Sequence, residues 1–290
     1  MQRIRIQHLT EYVYSSSVTL NQHRMLIRPR EGHDVRIEWS RLDIFPAYRI
    51  KWQRDVFDNS LALVTFDAPS TRLTITSEVM IQHYEHAPFD FMLDDSAVTY
   101  PFSYAVDEQA DLISYQQPIY TTDQPDVHQW LQRFGVTGKN TFGLLMEMNR
   151  TISGQFQYRM REEAGVQSPS FTLRYGSGSC RDYATLLMEA CRALGLASRF
   201  VSGYLLAPAT EVGNATTHAW VEVYLPGAGW KGFDPTTGQV VSNQHIAVAV
   251  ARNPESVPPV SGSFIGTNLT TSRLTVNVQV NLVKSALLSG

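Results

Sequence analysis

Over its first third the chain alternates apolar and polar positions at a period of two. "RIRIQ", "VRIEWSRLDI", "RIKWQRDVF", "LALVTF" and "RLTITSEVMIQHY" are short runs rich in β-branched and aromatic residues, and "PREGHD", "FPAY", "DNS" and "DAPS" interrupt them. The pattern predicts strands joined by turns, and strands at this spacing without a long helix predict a sandwich or small barrel. The stretch 107–126, "DEQADLISYQQPIYTTDQPD", is polar, carries two prolines and holds no sustained period. A boundary is expected there, dividing the chain into an all-β domain at 1–115 and a second domain at 116–290.

Beyond that stretch the period changes. "DVHQWLQRFG" places Val127, Trp130, Leu131 and Phe134 at helical spacing before Gly135. "NTFGLLMEMNRTIS" carries Phe142, Leu145, Met148 and Ile152 on one face, with Asn140 or Thr141 as the N-cap. Cys180, Ala184, Leu187, Cys191 and Leu194 recur at steps of four, three, four and three, which predicts a helix with one buried face, closed by Gly195. Strands return at 198–207 and in "THAWVEVYL" (217–225). There Ala219, Val221, Val223 and Leu225 share one side, and His218, Trp220, Glu222 and Tyr224 the other. "PGAG" reads as a turn into a further strand at 230–236, and "SRLTVNVQVNLV" as a last strand. The fold class read from these elements is α+β.

A chain of 290 residues, 43% hydrophobic and 18% charged, can bury a substantial core and has the length of more than one domain. The net charge is −3 and no stretch gathers Lys and Arg into a block, so no nucleic-acid partner is expected. No apolar run reaches the ~18 residues of a membrane span. The N-terminus has no apolar core of a secretory signal, so a cytoplasmic location is expected. Both cysteines fall on one predicted helix, 191 − 180 = 11 residues apart. At ~1.5 Å rise per residue that is about 16 Å, beyond the ~7 Å between Cα atoms that a disulfide tolerates. Two free thiols are expected, which fits a reducing compartment. The oligomeric state is not set by the sequence.

The chemistry concentrates on three residues. Cys180 follows Gly176, Ser177, Gly178 and Ser179 at the first turn of its helix. Free N–H groups and the positive dipole end there favour a thiolate and can donate to an oxyanion. A cysteine on an apolar helix face is most often core, which fits Cys191 fully; the small residues ahead of Cys180 let a substrate carbonyl approach. His218 opens an alternating strand, and Asp234 follows sixteen residues later in "GWKGFDPT". If "PGAG" is a hairpin turn, the two lie within a few residues of each other across the ladder, although an Asp before Pro235 is also an ordinary turn residue. A zinc site shared by Cys180 and Cys191 is disfavoured by their separation, and no EF-hand-like loop indicates calcium. No cofactor is expected.

The blocks "GSGSCRDYATLLMEACRALGLASRFVSGY" and "THAWVEVYLPGAGWKGFDPTTG" resemble the core of the transglutaminase-like superfamily. The resemblance implies a papain-like fold and a catalytic triad of Cys180, His218 and Asp234. "IQHLTEYVYSSSVTLNQHRMLIRPR", with His8, Tyr12 and Tyr14, resembles the N-terminal β domain of the bacterial branch, and "NQHIAVAVARNPESVPPVSG" resembles its segment after the aspartate. The branch has Gly where this chain has Ala251, and Asp where it has Ser256. The family chemistry implies acyl transfer from an amide carbonyl of a peptide or protein substrate through a thioester. Hydrolysis is favoured over cross-linking; a protein-glutamine transglutaminase is the first alternative and an inert binding or scaffold module the second.

Overall fold

The N-terminal alternation runs further than its opening residues, and β1 (Gln2–Leu20) is a single long strand. It is followed by β2 (His23–Met25), β3 (Val35–Phe45), β4 (Tyr48–Arg54), β5 (Ser60–Phe66) and β6 (Ser70–His83). The computed structural model describes residues 1–84, 88–161, 163–206 and 217–283. Next come α1 (Val106–Gln116), α2 (Gln124–Leu131), α3 (Thr141–Gln155), β7 (Gln157–Tyr158), α4 (Pro169–Tyr175), β8 (Ser177–Gly178) and α5 (Cys180–Ala193). The chain continues through β9 (Ser198–Leu205), β10 (Thr217–Leu225), β11 (Gly229–Asp234), β12 (Gln239–Val240) and β13 (His245–Ala251). It ends with β14 (Val260–Ser261), β15 (Phe264–Ile265) and β16 (Ser272–Leu282). The class is α+β, with an all-β N-terminal region ahead of a helix-and-sheet core.

Two sheets form the β region. One runs β15-β1-β6-β3 with β16 also on β1; the other runs β14-β2-β5-β4. Their inner faces share a core that includes Tyr14, Val18, Leu20, Met25, Val64, Leu73 and Ile75, so the arrangement is a sandwich. The third sheet, β12-β11-β10-β9-β13, is antiparallel throughout. Its β10 packs on α5, where Ala219, Val221, Val223 and Leu225 meet Ala184, Leu187 and Cys191. The first sheet packs on the third through Ile4, Ile6, Val278 and Val280 against Tyr204, Ile246 and Val248. Among the described residues no helix is long and apolar enough to cross a membrane.

Three expectations are corrected. Residues 107–126, read as holding no sustained period, carry a helix: α1 covers 107–116, half of the stretch, and its Leu112 packs with Tyr104 and Ala197. α1 buries Leu112 alone, too little to mark a period. The division of sheets also does not follow chain order. β14, β15 and β16 pair with β2 and β1, so residues 260–282 return to the sandwich although they follow the second domain's strands. Finally, α5 buries almost its whole circumference rather than one face, with Asp182, Tyr183, Thr185, Glu189 and Arg192 as inaccessible as Ala184.

Candidate active site

The start of α5 is built by close backbone approach. Gly176 closes α4 with a left-handed φ of 58°, a conformation that glycine adopts without steric cost. β8 then lies parallel to β7, pairing Tyr158 with Gly178, and the Arg159 N–H donates to the Gly178 carbonyl at 2.8 Å. A Cβ on Gly178 would stand 2.8 Å from the Cβ of Asp182, so only glycine fits there. The Asp182 carboxylate is inaccessible and gathers four donors: Ser179 N and Oγ at 2.7 and 2.8 Å, Gln167 N at 2.7 Å and Arg161 Nη1 at 2.8 Å. It thereby ties the preceding loop to the helix end that carries Cys180. The Arg181 guanidinium donates to the Arg161 and Glu163 carbonyls and serves the same loop.

Facing that helix end is the β10–β11 hairpin. Its register sets Val221 opposite Phe233 and Leu225 opposite Gly229, which brings His218 and Asp234 to the same end of the sheet. His218 Nε2 lies 2.9 Å from Asp234 Oδ2. The nitrogen left over, Nδ1, is the one available to sulfur, and the Cys180 side chain interacts with the His218 ring. All three are buried, with exposures of 7% for Cys180, 8% for His218 and 0% for Asp234. Burial disfavours a charged ring at His218, yet the Asp234 carboxylate outweighs it, with the Cys180 sulfur adding to its effect, and the imidazole is pushed up to about 10. Burial likewise opposes an ionised Asp234, but its two imidazole partners hold the carboxyl well below the usual carboxylate range. Thr236 N donates to Oδ1 at 2.9 Å and Thr237 Oγ1 to Oδ2 at 2.9 Å.

Two residues that the sequence reading did not single out also belong here. The Tyr158 phenol is a close neighbour of Cys180, whose sulfur and backbone both act on it. Burial, and then the neighbouring sulfur, push that phenol above its ordinary range, so it stays protonated at neutral pH and able to donate. The second is His245, whose Nε2 lies 3.2 Å from the same Asp234 Oδ2. Tyr158 sits in no quoted block, and nothing within "NQHIAVAVARNPESVPPVSG" marks out His245. Tyr158 follows α3 in a two-residue strand, and His245 opens an alternating run that reads as ordinary β. The ligand-type atoms of His218, Asp234 and His245 lie within 4.8 Å of one another, a spacing that the two N–H···O bonds account for. Cys191 plays no part: both cysteines are free, and burial pushes the Cys191 thiol up to about 12.

Comparison with known proteins places this arrangement. Residues 4–82 match the bacterial transglutaminase-like N-terminal region, and residues 117–235 the transglutaminase-like superfamily. An uncharacterised protein of Mycobacterium tuberculosis is 30% identical over 294 residues, covering 96% of this chain and 92% of its own. A protein-glutamine gamma-glutamyltransferase of Pseudomonas aeruginosa is 35% identical over 91 residues, 28% of this chain and 13% of that protein. The crystal structure of a candidate cysteine protease from Cytophaga hutchinsonii has the same fold, with a TM-score of 0.77 at 18% identity over 98% of this chain and 91% of that one. The chain belongs to the transglutaminase-like superfamily, in the bacterial form that carries its own N-terminal β region ahead of the core.

Proposed function

We propose that the protein is a cysteine-nucleophile acyl-transfer enzyme that cleaves amide bonds of a peptide or protein substrate, with water as the usual acceptor. The observation that carries this reading is the alignment at one sheet end: a helix-terminal thiol, an imidazole beside it, and a buried carboxylate 2.9 Å behind the imidazole.

In the reaction, Cys180 gives its proton to Nδ1 of His218 and attacks the amide carbonyl. Asp234 accepts the Nε2–H, which fixes the tautomer and supports the imidazolium. The carbonyl oxygen gains negative charge and takes hydrogen bonds from the Cys180 N–H and the Tyr158 O–H. His218 returns its proton to the departing amine as the C–N bond breaks, leaving a thioester on Cys180. Water, deprotonated by His218, then attacks the thioester. The tetrahedral adduct expels the thiolate and releases the acid.

A second reading has an amine, such as a lysine side chain, in place of that water, making the enzyme a protein-glutamine transglutaminase. The Pseudomonas aeruginosa relative, which is named for that activity and matches this chain over 91 residues, favours it. One assay separates the two: a glutamine-containing peptide with a labelled primary amine, run with the native sequence and with Cys180→Ala. Ammonia without label is expected. Incorporated label would establish transfer instead, and activity surviving in Cys180→Ala would falsify the nucleophile assignment.

A further inference from the structure

One buried titratable side chain at the site has no part in the reaction above. His245 opens β13, a strand removed from β10, and its side chain is only 4% exposed. The Ser242 N–H donates to its Nδ1 at 3.3 Å. An imidazole nitrogen that accepts a hydrogen bond carries no proton, so the ring proton sits on Nε2. That N–H points at Asp234 Oδ2, 3.2 Å away, the atom that also receives His218 Nε2 at 2.9 Å. Trp220 packs edge-on against the His245 ring, 5.3 Å between centroids, and keeps the ring from turning. The geometry therefore presents a carboxylate oxygen shared by two imidazole N–H groups, one in the reaction and one fixed from behind by backbone.

We propose that His245 is a positioning residue for the proposed reaction: its Nε2–H locks the Asp234 carboxylate in the orientation that His218 needs to take the Cys180 proton. The inference rests on the functional reading above. Without His245, Oδ2 keeps only the His218 and Thr237 donors, and the carboxylate gains freedom to rock about its bond to Cβ. Loss of that support is expected to slow the reaction ~10-fold, the lower end of what outer partners contribute at metal-bound imidazoles.

The test uses the full chain and needs no identified substrate. Iodoacetamide alkylation of Cys180, read by peptide mass spectrometry, is compared for the native sequence, His245→Ala, His245→Gln and His218→Ala from pH 6 to 10. The expected result is that His245→Ala reacts about tenfold more slowly at pH 6. The rates should converge near pH 10, where a cysteine thiol ionises without help. His245→Gln, whose amide can donate to Oδ2, should recover most of the rate. Native-like alkylation of His245→Ala at pH 6, a loss uniform across the pH range, or no recovery in His245→Gln would each overturn the proposal.

Nitrogen-15 histidine spectra give an independent readout. The native protein should show His245 protonated on Nε2 only, and His245→Ala should shift the hydrogen-bonded His218 Nε2–H proton. An unchanged His218 signal overturns the proposal. Should the native protein alkylate no faster than His218→Ala at pH 6, the nucleophile reading fails by itself, and these spectra alone decide the role of His245.

Discussion

Replacing Tyr158 by Phe removes one hydroxyl from beside the Cys180 N–H and leaves the ring against Tyr183, 6.2 Å between centroids. Loss of one oxyanion donor costs about a hundredfold in kcat with little change in KM. Steady-state kinetics on an amide substrate checks this, and an unchanged kcat would remove Tyr158 from the reaction. The His218–Asp234 pair carries a pH signature of its own. His218 titrates near 10 when folded, against about 6.5 for a free imidazole. The folded state holds that proton more tightly, so its stabilisation is complete below about pH 6.5 and is lost as pH rises through about 10. Asp234, with its depressed carboxyl, contributes the other way: its stabilisation is present above about pH 3.9 and lost as pH falls. The urea-midpoint gap between the native sequence and Asp234→Asn should be widest near pH 5–6 and narrow towards pH 10. A gap constant across that range would contradict the pairing. The proximity of Cys180, His218 and Asp234 was legible because each stands beside a local signal: a glycine-serine loop, an alternating strand, the end of a hairpin's second strand. Tyr158 and His245 reach the site through pairings distant in the chain, Tyr158 with Gly178 and His245 with Leu205, and no spacing encodes those.

Elements converge on the site only where backbones come close. A Cβ on Gly203, in the middle of β9, would fall 2.3 Å from the Ile246 carbonyl oxygen and 2.6 Å from the Trp220 ring. That ring covers His245 and stands 6.2 Å from His218. Gly203→Ala should cost ~1–3 kcal/mol through overpacking and slow Cys180 alkylation. Urea unfolding and alkylation rates at one pH check both, and native values in each would show that the strand yields freely. At this scale the hairpin of β10 and β11 and the ends of α5 were readable, since turn residues and periodicity are local properties. The all-round burial of α5 was not readable. It arises because α2, α3 and α4 contact one side and β10 the other, a fact of packing that charged positions such as Asp182, Glu189 and Arg192 conceal in the sequence. Glu189 and Arg192 meet this burial by pairing at 2.9 Å, while the Arg192 Nη2 donates to the Ser198 and Arg252 carbonyls.

Across the whole molecule the sandwich and the core share one strand set. β16 pairs with β1 from Ile4↔Leu282 to Tyr14↔Ser272, and its Val278 and Val280 complete the apolar layer that backs Tyr204 and Ile246. Deleting residues 272–283 should therefore leave a long unpaired edge on β1 and uncover the reverse side of the sheet β12-β11-β10-β9-β13. The shortened chain is expected to self-associate by size exclusion and to lose cooperative unfolding. A variant with the elution position and urea midpoint of the full chain would show the two layers to be independent. The return of residues 260–282 to the first sheets could not be read from alternation, which reports that a segment is a strand and not which strand it joins. The same pairing orders events during synthesis. β1 is followed by its partner β6, complete by His83, but its other neighbour, β16, is translated almost 200 residues later. At ~5–20 residues per second the nascent protein spends tens of seconds or less with one flank of β1 bare, and the sheet that carries His218 gains its full backing only as that gap closes.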